Sequence, residues 1–160
     1  MLRTPMLRKL ISNMEMELKS TLIQDAEQFD EFRGLLKSVG LPYNDLDLNR
    51  HILIGYYDDD RLIGTGALEL FGHYALLRSL AVNDTLRGRS LGSRITDELI
   101  AVAKKRQVTH IYLLTETARL FFKRKGFTDI DRKRVPEPVR GSSEFSGVCS
   151  DSAVCMEKTV

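Results

Sequence analysis

The chain has 160 residues, 42% of them hydrophobic and 29% charged, with 24 Lys and Arg against 22 Asp and Glu for a formal net charge of +2. That length holds one core, no apolar run reaches the roughly 20 residues of a membrane helix, and so slight a charge excess argues against a dedicated nucleic-acid binder. Cys149 and Cys155 make no disulfide framework, and neither they nor the separated His51, His73 and His110 have metal-site spacing.

Residues 1–16 read as an N-terminal extension, with basic residues but neither the apolar core nor the cleavage site of a secretory signal. Residues 17–160 read as a single domain. Without an export signal, a cytoplasmic location and reduced thiols are expected. A first strand is expected over 17–23. Gln24 and Asp25 then open a helix whose apolar positions Phe29, Phe32, Leu35, Leu36 and Val39 share one face before Gly40, Leu41 and Pro42 stop it. Residues 45–50 fit a short helix or a loop equally well. Two strands over 51–57 and 61–71 flank Asp58, Asp59 and Asp60, a hairpin signal without its usual glycine. Gly72 and His73 turn the chain into a fourth strand ending at Val82. Beyond the following helix, a fifth strand is expected over 109–115, a short helix over 118–125 and a sixth strand over 127–134. Past Pro136 and Pro138 come a helical piece near 143–148 and a last strand over 153–158. The result is an α/β arrangement, antiparallel at first and parallel around the central helix.

The junction after the fourth strand carries the chemistry. Leu76, Leu77, Leu80, Ala81 and Val82 form an apolar run too short for a helix and bounded by Asn83 and Asp84, which is a buried strand. Leu91, Ile95, Leu99 and Val102 then recur at helical spacing. Arg87 to Gly92 therefore sit where a loop meets a helix start. The first N–H groups of a helix lack internal partners and favour an anion, so a phosphate fits there. Gly88 and Gly92 remove bulk, and Arg87 and Arg89 add charge. On the junction alone, a tight turn with solvated arginines explains these residues equally well.

The segment LAVNDTLRGRSLGSRI, residues 80–95, resembles the acyl-coenzyme A motif of the GCN5-related N-acetyltransferase superfamily: Gln or Arg, two variable residues, Gly, one variable residue, then Gly or Ala. Arg87 matches the first position and Gly92 the last, while Ser90 stands where the first glycine is usual. That departure is compatible with phosphate binding if residue 90 keeps a permissive backbone angle. A second segment, TETARLFFKRKGF over 115–127, resembles the superfamily's later helix: Ala118, Phe121, Gly126 and Phe127 match, Thr115 replaces Asn and Phe122 replaces Tyr. The runs ALLRSLAV, LLTETARLFFKRKGF and VPEPVRGSSEFSGVCSDSAVCMEK most resemble the arsenic-resistance N-acetyltransferase group and, more distantly, the acetyltransferase domains of N-acetylglutamate synthases.

The resemblance implies a mixed sheet flanked by helices and splayed between the fourth and fifth strands. It implies acetyl-coenzyme A as cosubstrate, held by Leu80, Ala81, Val82, Arg87, Gly88, Arg89, Ser90, Leu91, Gly92, Ser93, Thr115 and Phe122. The N–H of Leu80 is then expected to act in catalysis as an oxyanion donor, of a kind worth ~3 kcal/mol in other enzymes. Phe122 leaves no tyrosine at that position to protonate the leaving sulfur; with no carboxylate on the fourth strand, Glu69 is the nearest candidate base, against the ordinary reading of a solvent-facing charge. Arg78 lies inside an apolar strand beside Ser79, where a lone charge is costly. Either it grips the acid end of an amino-acid-like substrate, with Ser79 beside it, or it forms a structural ion pair, with Glu69 the expected partner. The expected partner is a small-molecule amine, an amino acid or an analogue, with no nucleic acid and no membrane, and a homodimer is left open. A non-catalytic coenzyme sensor and a protein acetyltransferase guided by the basic runs at 123–125 and 132–134 are the alternatives.

Overall fold

A computed structural model describes residues 18–83, 90–148 and 151–160. The expected extension over 1–16 therefore lies outside the described residues. Strand β1 (Lys19–Leu22) leads into helix α1 (Ala26–Ser38), whose N-cap Asp25 accepts a 2.7 Å hydrogen bond from the Gln28 amide. Residues 45–50 form turns and a loop rather than a helix. Strands β2 (His51–Asp58) and β3 (Arg61–Phe71) make a hairpin in which Asp59, at φ 51°, takes the left-handed position normally given to glycine. Strand β4 (Tyr74–Val82), helix α2 (Leu91–Lys105), strand β5 (His110–Thr115) and helix α3 (Arg119–Arg124) follow.

The C-terminal part departs from expectation. The sixth strand shrinks to β6 (Thr128–Asp129), because the Asp131 side chain accepts from the Lys133 amide at 2.9 Å and winds Arg132–Arg134 into a tight helical turn. Helix α4 (Glu137–Arg140), unforeseen in the sequence, starts where Pro136 and Pro138 pre-set the backbone. An irregular turn over Glu144–Val148 precedes β7 (Val154–Thr159).

The sheet order is β1-β2-β3-β4-β5-β7-β6, and β4 with β5 is the one parallel pair among the described residues. Helix α2 covers one face with Leu91, Ile95, Leu99, Ile100 and Ala103. Burying Ile95 and Leu99 completely contributes about 2 kcal/mol each. The helix lies close because β3 offers glycine beneath it: a Cβ on Gly64 or Gly66 would stand 2.8 and 2.7 Å from Ile95. On the opposite face α1 inserts Phe32 and Leu36 beside Leu53, Ala67 and Ala81. Val135 and Val139 cover Leu76, Tyr112 and Cys155 there. No helix among the described residues is long and apolar enough to cross a membrane.

Candidate active site

Strand β4 pairs with β5 only over Tyr74, Ala75 and Leu76, opposite His110, Ile111 and Tyr112, although β4 continues to Val82 and β5 to Thr115. Each keeps its other neighbour, Val82 standing opposite Gly64 of β3 and Thr115 opposite Val154 of β7. The sheet therefore opens between its two halves. A β-bulge bends β4 at the same level: Ala67 faces Arg78 but Thr65 faces Ala81, so Ser79 and Leu80 together oppose Gly66. Ser79 carries the bulge at φ 60°, a left-handed conformation that costs a non-glycine residue roughly 1 kcal/mol or more. The buried Thr65 hydroxyl donates a 2.8 Å hydrogen bond to the Ser79 carbonyl and offsets that cost.

Two cavities of about 780 and 760 Å³ adjoin in the opening, sharing Val39, Leu41, Leu80, Thr117 and Ala118 in their walls. Both are in the size range of small-molecule sites. One ends among Asp45, Arg78, Glu116 and Glu144; the other ends at Ser90, Leu91, Gly92 and Ser93, where α2 begins. Ala81 and Val82 line the second cavity, and Ser79, Thr115 and Phe122 the first. Arg87, Gly88 and Arg89 lie outside the described residues.

Helix α2 starts without a side-chain cap. Ser90 precedes it at φ 61° and ψ 13°, in the left-handed region, and its hydroxyl caps nothing. Serine thus adopts here the angle that the glycine of the motif would adopt freely. Gly92 leaves room beside it: an added Cβ would stand 3.7 Å from Phe121 and 3.9 Å from Val82, in ordinary contact. Lys125 brings positive charge to the same terminus, its ammonium donating to Ser93 Oγ at 2.7 Å and lying 2.6 Å from Asp97. Replacing Ser90 by Gly is expected to stabilise the fold by about 1 kcal/mol through relief of the φ strain, a rise of roughly 2–4 °C in the melting temperature. A lower melting temperature would mean that the serine side chain contributes more than its backbone angle costs.

Across the opening, Thr115 Oγ1 accepts a 3.0 Å hydrogen bond from the Ala118 amide and fixes the entry to α3. Phe122 is buried, with Phe121 and Phe127 edge-on at 5.0 and 5.6 Å between ring centres. It offers the cavity an apolar ring edge and no hydroxyl.

A buried polar network surrounds Arg78, whose side chain is 0% exposed. Its two terminal nitrogens donate to the two oxygens of Asp45, one at 2.7 Å, and its Nε lies 3.2 Å from Glu144 and 3.3 Å from Ser79 Oγ. Ser143 donates to Asp45 as well. Burial pushes the Asp45 carboxyl up, but the hydrogen bonds from Arg78 and Ser143 and the charge of Arg78 prevail and hold it at about 2. Of the two readings left open for Arg78, the ion-pair one is seen with other partners than the Glu69 named for it, because a loop before β2 and the turn after α4 bring Asp45 and Glu144 against it.

Glu69 lines neither cavity. It is buried, with one oxygen 3.0 Å from His51 Nε2. Burial pushes its carboxyl up, yet His51, Ser142 and the charge of Arg78 bring it below the usual range. Cys155 is a buried free thiol pushed up to about 11, chiefly by desolvation, and Cys149 lies outside the described residues.

Asp45, Thr65 and Glu144 were not singled out from the sequence, and Lys125 was noted there only as part of the basic run 123–125. Asp45 sits in the stretch that fitted helix or loop equally, and Glu144 in an irregular tail. The one sequence signal for Thr65 is a hydroxyl between two glycines in a buried strand.

The sequence model of the acetyltransferase (GNAT) family matches residues 14–127. An amino-acid acetyltransferase of Mycobacterium tuberculosis is 35% identical over 72 residues, which is 44% of this chain and 41% of that relative, so less than half of the relative's length is matched. A Mycobacterium tuberculosis protein solved in complex with coenzyme A superposes with a TM-score of 0.70 at 20% identity, over 88% of this chain and 99% of its own. N-acetylglutamate synthase of Neisseria gonorrhoeae, solved with coenzyme A and L-arginine, gives 0.73 at 15% identity over 89% of this chain and 33% of its own. At such identities the two structures speak for the fold.

Proposed function

Because the family match over residues 14–127 takes in well over half of its length, the chain belongs to the acetyltransferase (GNAT) family, and on that premise we propose that it moves the acetyl group of acetyl-coenzyme A onto the amine of an amino acid or amino-acid analogue. The observation that carries this reading is the opening between β4 and β5 that leads, past the bulge at Ser79 and Leu80, to the uncapped start of α2. A diphosphate suits that terminus, where free amides point outward with the positive end of the helix dipole behind them. The left-handed Ser90 and the space beside Gly92 fit such a ligand.

In this reading the amides around Ser90, Leu91, Gly92 and Ser93, with Arg87, Gly88 and Arg89, hold the diphosphate. The backbone of Leu80, Ala81 and Val82 flanks the pantetheine arm, and Thr115 and Phe122 form the facing wall. The coenzyme supplies an acetyl thioester whose thiol, with a reference pKa of about 8.5, leaves near neutral pH without an obligatory acid. The chain's own work is then to orient the amine and to offer a hydrogen-bond donor where oxygen gains charge. We assign that donor to the Leu80 amide. Arg78 and Ser79 line the first cavity, but both terminal nitrogens of Arg78 are engaged by Asp45, which favours a structural ion pair over a grip on the substrate's acid end. Glu69 is a partner of His51, outside the cavities. Asp45, held at about 2, is too weak a base to take the amine proton efficiently. Glu116, exposed on the cavity rim, is the carboxylate open to carry that proton to water.

The acceptor class is supported by the 72-residue likeness to an amino-acid acetyltransferase. The test is release of free thiol from acetyl-coenzyme A with a panel of amino acids and of arsenic- and phosphorus-bearing analogues. Turnover with at least one is expected. Tight coenzyme binding without thiol release across the panel would instead favour a sensor module.

A further inference from the structure

Thr65 is wholly buried in β3, and its hydroxyl donates to the carbonyl of Ser79, the residue at which β4 bulges. That carbonyl and the N–H of Leu80 belong to one peptide unit. No peptide bond among the described residues is cis, and in a planar trans peptide the C=O and N–H point in opposite directions. Holding the carbonyl toward β3 therefore turns the Leu80 N–H away from β3, to the side from which β5 has departed. Leu80 lines both cavities there. We infer that Thr65 is a positioning residue for acetyl transfer: its hydroxyl aims the Leu80 amide into the opening and holds it there through the reaction.

The inference rests on the acetyltransferase reading, and it adds a residue that touches neither coenzyme nor amine. Three features favour it. Ser79 sits at φ 60°, where a serine needs outside support. The hydroxyl is shielded from water at 0% exposure, so nothing else competes for it. A hydrogen bond to a peptide carbonyl also polarises that peptide, which strengthens its N–H as a donor.

The experiment compares Thr65→Val, which keeps the volume and removes the donor, with Thr65→Ser, which keeps the donor. In Thr65→Val, kcat is expected to fall about tenfold or more while KM for acetyl-coenzyme A and for the amine stays nearly constant, the pattern of a contact that matters in the transition state. Thr65→Ser is expected to recover most of kcat. Nuclear magnetic resonance of the ¹⁵N-labelled protein supplies a readout that needs no turnover. The Leu80 amide should shift more with acetyl-coenzyme A than with coenzyme A in wild type and Thr65→Ser, and equally with both in Thr65→Val. A normal kcat in Thr65→Val, or a Leu80 amide blind to the acetyl group in wild type, overturns the inference. Failure of wild type to acetylate any amine would count against the enzymatic reading instead, and the amide shifts would still decide the role of Thr65.

Discussion

Replacing Arg78 by Ala is expected to destabilise the protein by about 3–5 kcal/mol, because the substitution strands two carboxylates that the fold has already desolvated. Asp45 and Glu144 have side chains 13% and 5% exposed, and the guanidinium between them is fully buried. A buried ion pair adds little net stability compared with an apolar replacement, yet removing one member leaves the other charge unmatched. At roughly 2–4 °C per kcal/mol for a chain of this size, the melting temperature should drop by roughly 6–20 °C. The companion variant Asp45→Asn reads the same network by pH. The Asp45 carboxyl lies at about 2 in the folded protein against an ordinary 3.8, so its stabilisation is complete above about pH 4 and is lost as pH falls through 2. The whole effect is about 2 kcal/mol. Urea titrations between pH 2 and 5 should show a slope that Asp45→Asn flattens, with Glu69 contributing in the same direction in both proteins. A melting temperature for Arg78→Ala within a degree or two of wild type would show that water or a neighbouring side chain takes the place of the guanidinium.

Gly92→Leu should separate folding from coenzyme binding. The first side-chain carbon fits without a clash, 3.7 Å from Phe121 and 3.9 Å from Val82. The remaining carbons must project between those residues into the cavity at the start of α2. In the helix itself, leucine is favoured over glycine by up to about 1 kcal/mol. The variant is therefore expected to melt at or above the wild-type temperature while its affinity for coenzyme A, measured by calorimetry, falls more than about tenfold, or 1.4 kcal/mol. Unchanged affinity would remove this helix terminus from the coenzyme site and leave the family fold without its expected ligand contact.

The two variants probe features of different legibility. Gly92 could be singled out beforehand because a strand, a glycine-bearing loop and an amphipathic helix are consecutive in the chain, and the anion-binding property of a helix start is local. The boundaries of β3 and the end of β4 at Val82 were readable for a related cause: alternation and turn residues act over a few positions. The partners of Arg78 were not readable. Asp45 lies 33 residues before it, and nothing local distinguishes that aspartate from the others of the chain. The shortened β6 and the unforeseen α4 mark the same limit, since an Asx turn at Asp131 competed with a strand whose sheet neighbour, β7, comes later in the sequence.

By itself, then, the sequence determined the order of strands and helices as far as α3, the parallel step around α2, and a loop-to-helix junction of a kind suited to an anion, because each follows from periodicity and from groups within one or two turns of chain. Tertiary structure alone decided that β4 bulges at Ser79, that Thr65 grips the bulge, and that Arg78 spends its charge on Asp45 and Glu144 while Glu69 turns to His51. The physical reason is that strand register and buried charge pairing are long-range: they depend on which segments the core brings within about 4 Å, where Coulomb and hydrogen-bond energies become large, and no local pattern encodes that distance.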